Sequence, residues 1–319
     1  MQAVKFASTR DMPREEWLKL RRQGIGGSDA AAILGMSPYK SAYSVWADKL
    51  GCLPEQPDNE AMRQGRDLEQ YVAERFSEYM QDKGTPKRVA RLNSILRHPE
   101  HQWMQANIDR RIVGERAGLE CKTSKDLTLR RYSNGEFPEE YYCQCMHYLA
   151  VTGWEKWYLA VLIYGTELKV FEIARDEDDI AALIAAESDF WHRYVEGGAQ
   201  PPVDSMDATT RALNAVWSDE EEGTADCTDP DAMDGYMDVC DQIKRLEAQK
   251  QLYANRIRAM IGSCSQVLGA SGRATWKSQS RREFEMERFK QDHPEISLDG
   301  YYRVKVSRVL RVSRNKDKD

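Results

Sequence analysis

One predicted β-hairpin, over residues 107–123, limits the folds open to this chain because its charged side chains recur at strand positions. Successive side chains of a strand point to opposite faces, so Glu120 and Lys122 share one face while Cys121 points to the apolar side. The glycine-containing stretch before them is short enough to close a hairpin, which brings Asp109 to the same volume. The pattern predicts two carboxylates and an ammonium group at one point on adjacent strands.

This set of side chains suits a divalent cation that acts on a phosphate ester. Mg²⁺ prefers oxygen ligands and retains several waters, so Asp109, Glu120 and a substrate phosphate oxygen would complete its shell, and Mn²⁺ is expected to substitute. Lys122 has three open roles: it can orient the attacking water, help to deprotonate it, or neutralise charge on the phosphoryl oxygens. A Glu-x-Lys hairpin also arises by chance, so other segments must support this interpretation.

Two helical patterns supply that support. Residues 138–151 begin with a proline and two glutamates, and Gln144 and Tyr148 lie four apart on one face of the predicted helix. Residues 65–76 form a second amphipathic pattern with Glu69 beside its apolar stripe, where it could act as a third acidic ligand. The alternatives are a solvated glutamate and an ordinary half-buried glutamine–tyrosine pair.

These motifs resemble those of the PD-(D/E)XK nucleases, in the order found in YqaJ-type viral recombinases and lambda exonuclease. The segment WLKLRRQGIGGSDAAAILG, residues 17–35, resembles the opening signature of that family. The resemblance covers roughly residues 10–195. It implies an α/β fold with a restriction-endonuclease-like core, in which a central mixed sheet with the order αβββαβ is flanked by helices.

The resemblance also implies an activity: a Mg²⁺-dependent 5′ to 3′ exonuclease that resects linear double-stranded DNA and releases 5′-mononucleotides. Such an enzyme works with a phage single-strand annealing protein in the cytoplasm of a bacterial host, and lambda-type relatives form a homo-oligomeric ring trimer. Carried over by position, catalysis is assigned to Asp109, Glu120, Lys122, Glu69 and Gln144, with support from Tyr148. Asp109, Glu120 and the backbone carbonyl of Cys121 would hold the metal, and Glu69 would support a second metal or its waters.

Arg21 and Ser28 match the positions that grip a terminal 5′-phosphate in the lambda exonuclease type. A guanidinium fork suits a phosphate, and Ser28 follows a glycine-rich turn where it is predicted to be a helix N-cap. The alternative is a serine that only caps a helix and an arginine on the surface. One departure from the family is Arg110-Arg111 after Asp109, where relatives often have a Pro-Asp-Gly setting; these arginines suit either phosphate contacts or a different grip on the substrate.

The charge distribution is compatible with a DNA partner. The net charge is −6, but residues 217–241 contain ten acidic and no basic residues, which leaves +4 on the remainder. Basic residues that could line a channel for the DNA backbone are Arg10, Arg14, Lys19, Arg21, Arg22, Arg110, Arg111, Lys125, Arg130 and Arg131. No apolar stretch approaches the roughly 18 residues of a membrane span, and the seven cysteines lack the paired CxxC units of a zinc or iron–sulfur site.

The predicted organisation is a nuclease domain over residues 1–204, an acidic linker over 205–235 and a C-terminal part over 236–319. Two N-terminal helices and helices near 66–81, 138–151 and 177–194 are expected, with strands near 88–96, 103–112, 119–123, 157–164 and 168–173. The C-terminal part is expected to be a basic α+β appendage, with a long amphipathic helix that packs on the core or another subunit and strands at 266–276 and 301–312. Two other functions stay open: a non-processive PD-(D/E)XK endonuclease, and a DNA-binding assembly protein without cleavage.

Overall fold

The computed structural model describes residues 3–55, 59–125, 132, 135–304 and 308–313. The chain divides into two compact units, Met1–Ser218 and Asp219–Asp319. The first unit contains β1 (Val4–Ser8), α1 (Arg14–Arg22), β2 (Ile25–Gly26), α2 (Gly27–Ile33), α3 (Ala42–Lys49), α4 (Glu60–Asp82), β3 (Val89–Ala90), β4 (Ser94–Arg97), β5 (Met104–Ala106), β6 (Arg110–Ile112), β7 (Ala117–Ser124), α5 (Glu139–Thr152), β8 (Lys156–Ile163), β9 (Glu167–Ala174), α6 (Glu177–Phe190) and α7 (Asp207–Val216).

A five-stranded mixed sheet, ordered β3-β6-β7-β8-β9, forms the centre of this unit. Only β7 and β8 pair in parallel among these strands, and β8 is buried along nearly its whole length, as expected for a strand covered on both faces. Helix α4 packs Val72 and Phe76 on one face, against Leu119 and Tyr158 of the sheet. Helix α5 packs on the other face with the larger core cluster. The predicted mixed α/β core, a sheet flanked by helices, is confirmed.

A second sheet, ordered β1-β4-β5-β2, was not predicted. The predicted strands at 88–96 and 103–112 were wrong as continuous strands, because each divides between the two sheets. The second break falls at residues 107–109, where the chain leaves β5 in one sheet and enters β6 in the other. The N-terminal prediction was also incomplete, since β1 pairs antiparallel with β4 and three helices precede α4.

The first unit ends later than the sequence suggested. After α6, a π-helical turn over Trp191–Glu196 leads to α7, in which Ala208, Thr209 and Ala212 are buried. The Thr209 hydroxyl donates to Asp204 Oδ1 at 2.6 Å and lies 2.7 Å from Ser41 Oγ. These contacts correct the predicted boundary at residue 204, because a small-residue helix with its own buried face precedes the acidic run.

The second unit contains α8 (Pro230–Ile261), the hairpin β10 (Gln266–Gly269) and β11 (Gly272–Thr275), and α9 (Met286–Asp292). The predicted long helix is confirmed, and the segment predicted as strand at 266–276 is divided into two short antiparallel strands. Helix α8 begins inside the predicted acidic linker because Asp229 caps it, accepting from Ala232 N at 3.2 Å, and proline suits its first turn. The predicted strand at 301–312 was wrong for its described residues, which contain no strand. No helix of the described chain is long and apolar enough to cross a membrane.

Candidate active site

Strand β7 presents the predicted charged pair on one face. Leu119 and Cys121 pack with the α4 side of the sheet, so Glu120 and Lys122 point to the opposite face, toward α5. Pairing along the whole of β8 fixes the register of β7. The predicted alternation of side chains is therefore present in the structure.

A closed hydrogen-bond network joins β7 to α5. Lys122 Nζ donates to Glu120 Oε1 at 2.6 Å and to Gln144 Oε1 at 2.9 Å. Gln144 Nε2 donates to Glu120 Oε1 at 2.7 Å and to the Tyr148 hydroxyl at 2.9 Å. Since an ammonium group only donates, the orientation of the Gln144 amide follows from its partners. The structure thus unites four of the predicted site residues.

Asp109 lies immediately before β6, and its Oδ2 accepts from the Cys121 backbone N–H at 2.9 Å. Burial, followed by the nearby carboxylates of Glu120 and Glu69, raises the pKa of Asp109 well above its usual value. The backbone hydrogen bond and Lys122 oppose this rise without cancelling it. Burial and the two neighbouring carboxylates therefore disfavour the ionised form of Asp109.

Lys122 is held as a cation. Burial alone would lower the pKa of its ammonium group, but the carboxylates of Glu120 and Asp109 outweigh burial and raise that pKa above its usual value. A lysine that is protonated at neutral pH cannot accept a proton from water. Of the three roles left open by the sequence, this arrangement favours orienting the water or neutralising charge on the phosphoryl oxygens.

Glu69 lies at the edge of the site and is bound to Arg110. The Arg110 guanidinium is buried, pairs with Glu69, and donates to Gln70 Oε1 at 3.0 Å and to the Asp109 backbone oxygen at 2.7 Å. Arg110 is therefore not available as the surface phosphate contact considered above; Arg111 is exposed, and Arg130 and Arg131 lie outside the described residues. Arg110 instead orients Glu69 beside Asp109.

The donor set fits a divalent cation held by two carboxylates. Glu120 Oε2 is buried and has no hydrogen-bond partner in the described structure. A buried carboxylate oxygen without a donor carries a desolvation cost that a cation would relieve. Among the described residues, no group of three or more His, Cys, Asp or Glu side chains is arranged to hold a metal, so a third protein ligand would have to come from elsewhere, such as a backbone carbonyl.

The other predicted pair is also brought together. Arg21 Nη2 on α1 donates to Ser28 Oγ on α2 at 2.6 Å, and the guanidinium carbon lies 5.1 Å from the centre of the Trp17 ring. The predicted N-cap role of Ser28 was wrong: the cap is Gly26, whose N–H donates to Asp29 Oδ2 at 3.2 Å, and Ser28 is the second residue of the helix. The Ser28 hydroxyl is therefore free of capping and contacts Arg21.

The protein is similar over most of its length to a protein of Bacillus subtilis. The YqaJ protein of strain 168 is 35% identical to it over 297 residues, which covers 91% of this chain and 92% of that protein. The model of the YqaJ-like viral recombinase domain matches residues 16–155. The chain belongs to the YqaJ-like viral recombinase family.

Solved structures with a similar arrangement include two exonucleases. The YqaJ-like chain superposes on an alkaline exonuclease from Laribacter hongkongensis with a TM-score of 0.48 and 22% identity, covering 58% of this chain and 93% of that chain. A phage-related exonuclease from Haemophilus somnus gives a TM-score of 0.41 and 12% identity, covering 57% and 100% of the respective chains.

Two buried charge clusters of this YqaJ-like protein escaped the sequence analysis. In the first, Asp29 lies among Arg21, Lys40 and Lys49. In the second, His147 Nδ1 on α5 lies 2.8 Å from Glu187 Oε1 on α6. Charged residues on helices resemble a solvated face in sequence, and the only available signal was that Asp29 stands in the apolar, alanine-rich run of α2.

The His147 cluster connects the helices behind the site. His147 Nε2 lies 2.8 Å from the Gln105 carbonyl oxygen, which can only accept, so Nε2 carries a proton. Burial alone would lower the pKa of His147, but Glu187 outweighs it and raises that pKa. Gln105 in turn donates to the Leu20 carbonyl oxygen at 3.2 Å, adjacent to Arg21. The cluster therefore connects α5 and α6 to the end of α1, next to Arg21.

Replacing Gly27 with alanine is expected to destabilise the YqaJ-like protein by about 1–3 kcal/mol, the usual cost of overpacking a core. A Cβ at Gly27 would lie 2.6 Å from Tyr148 Cε1 and 3.0 Å from Gln144 Cγ, so α2 and α5 would have to separate. The matched control is Gly65→Ala on α4, where a Cβ meets nothing within 4 Å and alanine is expected to stabilise. Urea unfolding of both variants measures the difference; equal stability would show that the contact yields easily.

Proposed function

We propose that this YqaJ-like protein is a Mg²⁺-dependent 5′ to 3′ exonuclease that resects linear double-stranded DNA. The observation that carries this proposal is the network of Lys122, Glu120 and Gln144 beside Asp109, in which a buried carboxylate oxygen has no partner. Such an arrangement suits metal-assisted hydrolysis of a phosphodiester. Membership of a recombinase family supports DNA as the substrate.

Each side chain has a definite task in this proposal. Asp109, Glu120 and the Cys121 backbone carbonyl would hold the cation, which when bound would polarise the scissile phosphate and lower the pKa of an attacking water. Lys122, whose pKa the neighbouring carboxylates raise, would neutralise charge on the phosphoryl oxygens. Gln144 holds Lys122 and Glu120 in place by bonding both, and the phenol of Tyr148, whose pKa burial raises well above its usual value, buttresses that amide.

The polarity of resection would come from Arg21 and Ser28, which we assign to the terminal 5′-phosphate. A cleft beside Asp109 is lined by Trp17, Arg66 and Arg91, among others. The Arg21 guanidinium lies over the ring of Trp17, so the proposed phosphate-binding pair is next to a residue that lines the same cleft as Asp109. A strand end bound at Arg21 could extend along this cleft toward the acidic site.

We further propose that the enzyme acts in the cytoplasm of a bacterial host during phage-type recombination, with a single-strand annealing protein as its partner. Mn²⁺ would replace Mg²⁺, since both prefer oxygen ligands. A homo-oligomer, with a ring trimer as the form to test, would keep the enzyme on its DNA. Family membership supports this setting.

One digestion tests the activity. Purified full-length protein and Mg²⁺ are incubated with linear duplex DNA that carries a 5′-phosphate at one end and a 5′-hydroxyl at the other, beside a covalently closed circle of the same sequence. Mononucleotide release from the phosphorylated end with the circle intact is expected. Nicking of the circle would replace the proposal with an endonuclease, and absence of turnover with Mg²⁺ or Mn²⁺ would leave a DNA-binding protein.

Replacing Arg21 with alanine is expected to slow digestion from phosphorylated ends by about tenfold or more, because hydrogen bonds to charged groups are worth about 1.5–3 kcal/mol. Digestion from 5′-hydroxyl ends should change little. Arg75→Ala is a matched control, since Arg75 is an exposed helical arginine that pairs with Glu78. Initial rates on singly phosphorylated duplexes measure the ratio, and an equal loss at both ends would refute the assignment of Arg21.

A further inference from the structure

Asp29 is the centre of a buried charge cluster that the proposed chemistry leaves unexplained. Its side chain is 2% exposed. Lys49 Nζ lies 2.7 Å from Asp29 Oδ2, and Lys40 Nζ lies 2.9 Å from Oδ1. Arg21 Nη2 lies 3.8 Å from the same Oδ1. Three cations from three separate segments thus surround one carboxylate.

The cluster contains three basic side chains and only one carboxylate. Burial alone would raise the pKa of Asp29, but Lys40, Lys49 and Arg21 hold it well below its usual value, so Asp29 is ionised. The fully buried side chain of Lys49 lies 2.7 Å from Asp29 Oδ2; burial lowers the pKa of its ammonium group, and Asp29 opposes that shift. The side chains of Arg21 and Lys40 are 26% and 42% exposed, and both lie near Asp29 Oδ1. Arg21 and Lys40 are therefore the two cations of the cluster that face solvent.

We propose that Lys40 is a second cationic contact for the terminal 5′-phosphate and that Asp29 is the buried carboxylate that positions Lys40 and Arg21 for it. This inference rests on the proposed function and deepens it. A terminal phosphate monoester carries about −1.5 to −2 at neutral pH, which matches the two exposed cations. An internal phosphodiester carries one negative charge and would leave one cation unbalanced. Lys40 would therefore determine specificity for a strand end.

The geometry of the surrounding segments supports this role. Arg21 Nη2 also donates to Ser28 Oγ, so Arg21 from α1, Ser28 from α2 and Lys40 from the loop before α3 are linked through Asp29 or one another. The Lys40 backbone N–H donates to Ser37 Oγ at 3.1 Å, which fixes the base of that side chain. Preorganised donors of this kind avoid the ordering cost of binding a phosphate.

The test compares Lys40→Met, which keeps the alkyl stem, with the wild type in the full-length protein. KM and kcat are measured on duplexes with a 5′-phosphate or a 5′-hydroxyl. We expect KM for the phosphorylated end to rise about tenfold, with kcat and the hydroxyl end changing little, as for loss of one charged hydrogen bond. Inhibition by inorganic phosphate should weaken in parallel. Lys40→Arg should restore most of the preference, and Lys156→Met, which removes another ion-paired lysine, should have no effect.

The possible results distinguish failure of the 5′-phosphate assignment from failure of the role of Lys40. A wild-type enzyme that treats both ends alike would refute the 5′-phosphate assignment itself. A wild-type preference that survives in Lys40→Met would refute only the role of Lys40, as would an equal loss at both ends in a variant with unchanged melting. If Lys40→Met fails to fold, Lys40→Gln decides instead, because its amide can still donate to Asp29 while lacking charge; retention of the full preference there overturns the proposal.

Discussion

Replacing Lys122 with alanine is expected to slow hydrolysis of linear duplex DNA by about 10²–10³-fold, the usual effect of removing one preorganised group that stabilises developing charge. The ammonium group donates hydrogen bonds to Glu120 and Gln144, and the carboxylates of Glu120 and Asp109 raise its pKa. DNA binding should be largely preserved, because affinity is spread over many phosphate contacts. Single-turnover cleavage and equilibrium binding, measured on the same duplex, separate the two effects.

Two controls sharpen that experiment. Lys156→Ala removes a lysine that pairs with Glu172 on the neighbouring strand, and it should leave cleavage unchanged. Lys122→Arg keeps the charge with a different shape and should recover only part of the rate. If Lys122→Ala lost binding and cleavage together, Lys122 would have a structural role, and melting curves would show the accompanying instability.

Replacing Asp109 with asparagine is expected to abolish metal-dependent cleavage and yet to stabilise the metal-free protein at neutral pH. Burial and the carboxylates of Glu120 and Glu69 raise the pKa of Asp109, so ionising it costs folding free energy. Asparagine keeps an oxygen that can accept from the Cys121 N–H while removing the charge. The gain in the free energy of unfolding should increase with the amount by which the folded protein raises the pKa of Asp109.

The difference in stability between Asp109→Asn and the wild type is expected to depend on pH. Because the pKa of Asp109 is higher in the folded than in the unfolded protein, its contribution to stability is fully present below about pH 4, the unfolded value, and is lost as pH rises through the folded value. The stability advantage of Asp109→Asn should therefore be near zero at the acidic end and grow toward alkaline pH. Urea unfolding in a chelating buffer measures it; Mg²⁺ should stabilise only the wild type. If Asp109→Asn were less stable than the wild type at every pH, the raised pKa of Asp109 would be contradicted.

The parts of the site that follow from local periodicity could be predicted from sequence. A period of two places Glu120 and Lys122 on one face of β7, and a spacing of four places Gln144 and Tyr148 on one face of α5. Both arrangements are intrinsic to a strand or a helix and need no knowledge of what packs nearby. The convergence of these pairs was implied only by the resemblance to the PD-(D/E)XK nucleases.

The parts that depend on distant partners could not be predicted. Arg110 binds Glu69 across 41 positions, and Lys49 binds Asp29 across 20 positions, so neither pairing leaves a periodic signal. The division of the 103–112 segment between two sheets could not be predicted either. Alternation of polar and apolar residues indicates which face of a sheet each side chain lies on, but not which strand pairs with the segment. Arg110 consequently looked like a surface contact for DNA, although its guanidinium is buried.

The close packing of Gly27 against Tyr148 sets the distance between the proposed phosphate-binding residues and the acidic residues. Ser28 follows Gly27 directly, and Gln144 donates hydrogen bonds to the Tyr148 hydroxyl and to Glu120, so packing and hydrogen bonds link the proposed phosphate-binding residues to the acidic residues. For a strand whose terminal phosphate binds at Ser28, the distance from Ser28 to Glu120 determines which phosphodiester bond lies at the acidic site. The length of each released fragment would then depend on how α2 packs against α5. A change in the spacing of these two helices would change the length of the product.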